Sequence, residues 1–318
     1  ASSVTIKLSW NGSPSGSEPM GIDNISVKGE TSDILPLLLN EITVTPTAGE
    51  FIEIYNPNSS SVDLSNIFLT DATFAGSNTF YYNIVTGNNA GGGDFGDFLA
   101  RFPSGASIAP GEYQTVAISG SDAYNETYGI NPTYELFEDG VTADEVPDML
   151  EGLPGSINNQ GGLSNSGEVA ILFYWDGEND LVTDLDYVLW GDTNEAVDKT
   201  GISIDGPDAD DTPSSYTDET PVIDQDVVSA SSHANGNSFQ RQDLSEGNQT
   251  SGTGNGVNGD DHTSENLLET WCSSPLTAGS ENDCGEVIPD TFLISEVQGN
   301  TSTSPLENTI VTVEAIVV

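Results

Sequence analysis

The sequence predicts an all-β fold, a sandwich or a barrel. Three observations carry that prediction. Helical periodicity is nearly absent from the 318 residues, short apolar runs with strand-like alternation recur, and Gly, Pro, Asn, Asp and Ser separate them. Composition agrees with a folded chain. The net charge is −46, from five basic and 51 acidic residues, and charge that extreme signals disorder where hydrophobes are scarce. Here 35% of residues are hydrophobic and 8% aromatic, so the chain has the material for a core beneath an acidic skin.

The strand candidates run in order. The first two are SVTIKLSW (3–10) and GIDNISVKG (21–29), followed by LLLNEITV (37–44), EFIEIYN (50–56) and IFLTD (67–71). YQTVAIS (113–119), EVAILFYW (168–175), LVTDLDYVLWG (181–191) and SFQRQD (238–243) come next, then FLISEVQ (292–298) and NTIVTVEAIVV (308–318). In EFIEIYN, Phe51, Ile52, Ile54 and Tyr55 flank Glu50 and Glu53, an imperfect alternation that suits a strand with one buried face. Helices are expected only at 94–102, 147–153 and 264–271. The intervals 76–93, 121–166 and 192–237 read as long loops, the usual place for binding on a β-scaffold.

Charge limits the partners. Affinity for nucleic acid comes largely from Lys and Arg on phosphates. Lys7, Lys28, Arg101, Lys199 and Arg241 are scattered along the chain and cannot form a basic groove, so direct nucleic-acid binding is not expected. Like-charge repulsion of this size favours a saline or calcium-containing surrounding, which points to a secreted or cell-surface protein. No stretch approaches the ~20 apolar residues of a membrane span. Cys272 and Cys284 bracket a short loop, which fits a disulfide in an oxidising compartment. The alternative is two free thiols; a zinc site would need more Cys or His nearby.

Catalytic candidates are few. His233 and His262 lie in loop-like stretches without the company a triad or a zinc site requires, and a structural or exposed role is expected for both. Calcium is the more credible chemistry, because hard cations take carboxylate and carbonyl oxygens, often from Asp- and Gly-rich loops. The first candidate is DGPDADD, with Asp205, Asp208, Asp210 and Asp211 close together. The second is WDGEND, with Asp176, Glu178 and Asp180, a spacing also ordinary in turns. GGGDFGDF and GNGVNGDD faintly resemble calcium-binding glycine repeats, but each occurs once. The aromatic clusters Phe80-Tyr81-Tyr82 and Tyr174-Trp175 could line a carbohydrate surface; sheet packing is the expected role.

LLLNEI followed by PTAGEFIEIYNPNSSSVDLSNIFLTD resembles the lamin tail domain, an immunoglobulin-like β-sandwich. SIAPGEYQTVA (107–117), LSNSGEVAILFYWDGENDLVTDLDYVLWGD (163–192) and NSFQRQD with WCSSPLTAGSEND are similar to later signposts of that family. Leu276, Thr277, Ala278 and Gly279 stand where its closing Pro-rich turn is usual. The 197–225 insertion resembles those of lamin tail domains in large extracellular bacterial nucleases. FLISEVQGNTSTSPLENTIVTVEAIVV is similar to the opening of the OB-fold module that follows there, with Asn308 and Ala315 in place of usual glycines.

The resemblance implies three segments: jelly-roll-like strands at 1–30, a lamin tail domain at 33–284 with long loop insertions, and the first OB-fold-like strands at 287–318. It also implies a function. The chain is expected to be a non-catalytic scaffold segment of a secreted bacterial multidomain protein of marine or saline origin. It would position a metal-dependent nuclease domain that no stretch of the chain matches, with neighbouring domains of the same polypeptide as partners. The alternative is an extracellular structural or adhesive subunit in which terminal strands pair with other copies.

Overall fold

Apolar alternation forces the chain into two facing sheets whose inner surfaces share one core. In the computed structural model, residues 34–140, 144–229, 233–234 and 236–284 are described. The expected segments at 1–30 and 287–318, with their four strands, lie outside the described residues.

Eleven strands form the two sheets: β1 (Leu38–Thr43), β2 (Phe51–Tyr55), β3 (Ile67–Thr70), β4 (Leu99–Arg101), β5 (Tyr113–Ala117), β6 (Tyr134–Glu135), β7 (Leu150–Glu151), β8 (Glu168–Tyr174), β9 (Thr183–Trp190), β10 (Asn237–Arg241) and β11 (Trp271–Pro275). The six-stranded sheet runs β6-β5-β2-β1-β10-β11 and the five-stranded sheet β7-β4-β3-β8-β9; neither closes into a barrel. The fold is all-β. Leu39, Ile52, Ile54, Val116 and Phe239 of the first sheet join Leu69, Ala100, Val169, Ile171 and Leu189 of the second in one hydrophobic cluster. Phe68 and Phe173 stack within it, their ring centres 5.0 Å apart.

Two register shifts interrupt the ladders. Leu39 pairs with Ile54 and Glu41 with Glu53, so Asn40 bulges out of the β1–β2 ladder. In the β8–β9 hairpin, Leu172 pairs with Asp186 and Phe173 with Asp184, which leaves Leu185 as the extra residue. A bulge re-aims side chains beside it. Both bulges adjoin buried acids: Asn40 precedes Glu41, and Leu185 lies between Asp184 and Asp186.

The expected elements need five corrections. EFIEIYN is buried on both faces, not one: Phe51 joins Ala117 and Tyr124 in a second small cluster, under Tyr128 and Ala278. The cover is α1 (Ser121–Tyr128), inside an interval that reads as loop in sequence. The carboxylate of Asp139 accepts from the amides of Asp122 and Ala123 in its first turn, and Gly129 closes it at φ +75°. Residues 94–102 hold β4 rather than a helix, since Phe98, Leu99, Ala100 and Phe102 are all buried and Leu99 to Arg101 pair with β3. Residues 147–153 likewise supply β7, and 264–271 shrinks to one turn, α2 (Leu267–Thr270).

The free edge of β9 is covered. Parallel bridges join Asp184 to Gly256 and Trp190 to Val228, bringing the long 192–270 excursion against it. This cover builds the polar interior of the protein.

Candidate functional site

β9 carries two acids inward, Asp184 and Asp186, and each meets a basic residue brought by the excursion. Lys199 is completely buried. Its Nζ lies 2.5 Å from Asp184 Oδ2, 2.8 Å from Glu219 Oε1 and 2.7 Å from the Tyr81 hydroxyl, and it sits over the rings of Tyr81 and Tyr216. Tyr81 in turn donates to Asp184 Oδ1 at 2.6 Å. Burial opposes the ammonium, but the charges of Asp184 and Glu219 outweigh it and hold Lys199 well above the ordinary lysine range.

Arg241, at the end of β10, is the second anchor. Its Nη2 reaches both oxygens of Asp186 at 2.9 and 2.7 Å, Nη1 donates to Glu265 at 2.7 Å, and Nε donates to the carbonyl of Leu39. The guanidinium lies 5.0 Å over the Trp271 ring. Asp186 also accepts from the backbone of Leu39 and of Tyr187, so the knot ties β1, β9 and β10 together across both sheets. Beside it, His262 is buried with Nδ1 2.8 Å from Gln249 and 3.2 Å from Glu246. Burial disfavours the charged ring, yet the hydrogen bond and charge of Glu246 push its pKa up to about 9.

Asp186, Glu246 and His262 bring one ligand-type atom each within 4.8 Å of one another. They do not fit a metal. Asp186 is already held by a guanidinium, and a cation there would face both Arg241 and a ring that favours the proton. A second group, Glu135, Glu138 and Asp144, also converges. Its oxygens mostly receive amides: Ser121 on Glu135, Gly140 and Asp144 on Glu138, Val146 on Asp144.

The acids singled out in sequence lie elsewhere. Asp205, Asp208, Asp210 and Asp211 are exposed, and Asp208 and Asp210 accept from the amides two residues on, as turn residues do. Asp176 accepts from the amides of Glu178 and Asn179, Glu178 is exposed, and Asp180 anchors the amide of Gly206. None of the seven belongs to either convergent group among the described residues. Cys272 and Cys284 form a disulfide. The aromatic clusters serve packing: Tyr81 and Tyr82 are buried, Phe80 stacks on Tyr82, and Trp175 donates to the carbonyl of Asn179. His233, half-buried, approaches Thr45 Oγ1 and sets its ring edge-on to Phe239.

The acids and amide of the opening motif form a third polar knot. Glu53 accepts from Asn40 Nδ2 at 2.8 Å and from the amide of Gly279 at 2.5 Å. Glu41 accepts from the Ser238 hydroxyl and from the amide and hydroxyl of Thr277. Asn282 Nδ2 donates to the carbonyls of Asn40 and Arg241. The 276–284 loop is thereby strapped over the outer face of the first sheet, and the disulfide closes the strap.

No family model matches the chain, and no curated protein matches it. A crystal structure of a DUF4876 family protein from Bacteroides thetaiotaomicron VPI-5482 is similar at a TM-score of 0.41 and 17% identity, over 78% of this chain and 72% of that one. Among the described residues, no helix is long and apolar enough to cross a membrane. The chain is an all-β protein of two facing sheets with buried ionic knots.

Proposed function

We propose that this chain is a lamin-tail-like, non-catalytic scaffold segment of a secreted bacterial multidomain protein, one that positions a nuclease domain carried elsewhere in the polypeptide. The observation that carries this reading is the inward commitment of its reactive side chains. Asn40, Glu41 and Glu53, from the motif that resembles the family, bind Thr277, Gly279 and Asn282 of its closing turn. Lys199, Arg241 and His262 are buried on carboxylates, so none of the three offers its charge to a ligand at the surface.

The outside is correspondingly acidic. Among the described residues the basic side chains are Arg101, Lys199 and Arg241; two are buried, and Arg101 is half-buried on Ser65 and Asn66. A surface of this kind repels nucleic acid and suits a spacer that keeps substrate moving toward a neighbouring domain.

The test has two arms. The purified chain is incubated with DNA and Mg²⁺, and no hydrolysis should follow the protein peak through successive columns; cleavage that follows it overturns the non-catalytic reading. Sequencing the gene beyond Val318 should reveal an OB-fold and a metal-dependent nuclease domain. A different catalytic module there would overturn the nuclease assignment alone.

A further inference from the structure

The knot around Lys199 holds an amine against a carboxyl group, with a second carboxyl group beside them. Lys199 Nζ lies 2.5 Å from Asp184 Oδ2. A carboxylate C–O bond spans roughly 1.2 Å, so Nζ stands no more than about 3.7 Å from the Asp184 Cγ. Near-attack geometries place reacting atoms about 3–3.5 Å apart. The fold fixes both partners. Asp184 belongs to β9 beside the bulge at Leu185, and the backbone amide of Lys199 donates to Glu219 Oε2 at 2.7 Å.

The surrounding groups match what amide formation needs. Tyr81 donates to Asp184 Oδ1 at 2.6 Å, the oxygen that does not receive the ammonium. A hydroxyl placed there stabilises the negative charge that grows on Oδ1 as nitrogen adds to the carbon. Glu219 Oε1 lies 2.8 Å from Nζ, within reach of a proton that the nitrogen must lose. The same oxygen accepts from Asn255 Nδ2 at 2.8 Å, which holds the carboxylate in place. The rings of Tyr81 and Tyr216 lie 5.3 and 5.5 Å from Nζ. Lys199 is 0% exposed and Asp184 2%, so the site excludes the water that would hydrolyse an intermediate.

Energetics favour the same outcome. Burying full charges is costly even when they are paired, and condensation removes an ammonium and a carboxylate together. Burial opposes the ammonium while the charges of Asp184 and Glu219 hold it, so the ion pair is the resting form and the neutral amine beside a neutral acid a minor one. A bond made once per molecule tolerates a slow rate. Arg241, the other buried base, has no such route, because its guanidinium stays protonated.

We propose that Lys199 and Asp184 condense into an intramolecular isopeptide bond, with Glu219 carrying a proton and Tyr81 bracing the carboxyl oxygen. The ammonium first passes one proton to Asp184 Oδ2. The nitrogen lone pair then attacks Cγ, the C–N bond forms, and the carbonyl electron pair moves onto Oδ1 beneath the Tyr81 hydroxyl. Glu219 takes a second proton from the nitrogen. As the carbonyl re-forms, the Cγ–Oδ2 bond breaks and Glu219 returns that proton to the leaving hydroxide. One water departs, the third proton stays on the amide nitrogen, and no oxidant or co-reactant enters. The link spans a sequence separation of 15 and pins the 192–270 excursion to β9.

The experiment is intact-mass spectrometry of the full chain, folded and aged, then denatured with its disulfide reduced. The parent should weigh one water less than its sequence, and trypsin should fail to cut after Lys199 because the amine is acylated. Lys199→Met and Asp184→Ala should each show the full mass. Glu219→Gln, which keeps Lys199 beside Asp184, should link about a hundredfold more slowly or not at all. A parent at full mass that trypsin cuts after Lys199 overturns the proposal, and that measurement decides whether or not the variants fold. A missing water that persists in Lys199→Met also overturns it, since the Asp-Gly pairs at 139–140, 176–177 and 205–206 can dehydrate to a cyclic imide. Linkage at the parent's rate in Glu219→Gln would overturn the part given to Glu219.

Discussion

Glu41 and Glu53 stand directly opposite each other on β1 and β2, both completely buried, on a face covered by the 276–284 strap. Like charges in that position repel, and burial adds to the penalty. Burial pushes Glu53 up to about 8 against the pull of Asn40 and Gly279, and the charge of Glu41 adds to the rise. Its contribution to stability is therefore complete below about 4.5, the ordinary glutamate value, and is lost as pH rises through about 8. Burial raises Glu50, Glu135 and Glu195 to about 7, with the same sign. His262, raised to about 9, holds its contribution below 6.5 and loses it through about 9. The melting temperature in chelator should fall steadily from pH 5 to pH 9. A rise across that window would contradict the assigned protonation of these groups.

Removing Glu53 tests the strap itself. Glu53→Ala leaves the Asn40 amide and the Gly279 N–H without their acceptor, at a cost of about 2 kcal/mol for each buried donor left unpaired. The 276–284 segment should become the first site of limited proteolysis. Unchanged cleavage in the variant would show that the strap is held by other contacts.

The knots on β9 predict a larger effect. Arg241→Met strands Asp186 and Glu265 without their shared cation, and Lys199→Met does the same to Asp184 and Glu219. Breaking a buried pair from one side costs about 3–5 kcal/mol. Arg241→Lys should recover little, since one ammonium cannot span both Asp186 oxygens, Glu265 and the Leu39 carbonyl. Urea unfolding of the three variants checks this, and a loss below 1 kcal/mol in Arg241→Met would mean that the cover relaxes and admits water.

How much of the fold and of the candidate site was legible in the sequence depends on the physics of each element. The long strands announce themselves: EVAILFYW and LVTDLDYVLWG become β8 and β9 nearly as written, because burial of alternate residues marks the chain locally. The two- and three-residue strands β4, β6 and β7 do not, since their partners alone make them strands. The disulfide follows from there being only two cysteines so near each other. The seven acids singled out for calcium were chosen by density along the chain, which turn chemistry produces just as well. Asp184, Asp186, Glu219 and Glu265 span 81 positions (265 − 184) and gather around Lys199 and Arg241 only through the fold. One signal was available. In a chain this poor in base, Lys199 and Arg241 are conspicuous, and each proves to be an internal counter-ion.

Opening the Cys272–Cys284 bond should release the strap from its other end. The bond closes a loop with a sequence separation of 12, and a loop of that size contributes about 3 kcal/mol in the chain-entropy account. The Cys272→Ser, Cys284→Ser double variant should melt several degrees lower while keeping the far-UV spectrum of the parent. If it instead loses its β-sheet signal, the bond is required to form the first sheet and does more than secure its cover.

Salt should stabilise this protein, and the reason lies in where its charges sit. The buried pairs, Lys199 with Asp184 and Glu219 and Arg241 with Asp186 and Glu265, are shielded from solvent and weakly screened by ions. The unpaired acids lie mainly outside, among them Asp205, Asp208, Asp210 and Asp211. Their mutual repulsion is what mobile ions can relieve, over a Debye length of about 10 Å at 0.1 M. Added NaCl therefore removes a destabilising interaction while sparing the stabilising ones. The melting temperature in chelator should climb from about 10 mM to about 1 M NaCl, most steeply at the low end. Lys199→Met and Arg241→Met should show the same slope from a lower starting point, because the exterior is unchanged. If the parent melted lower as salt increased, attractive pairs at the surface would have to dominate, and the assignment of the basic residues to the interior would be wrong.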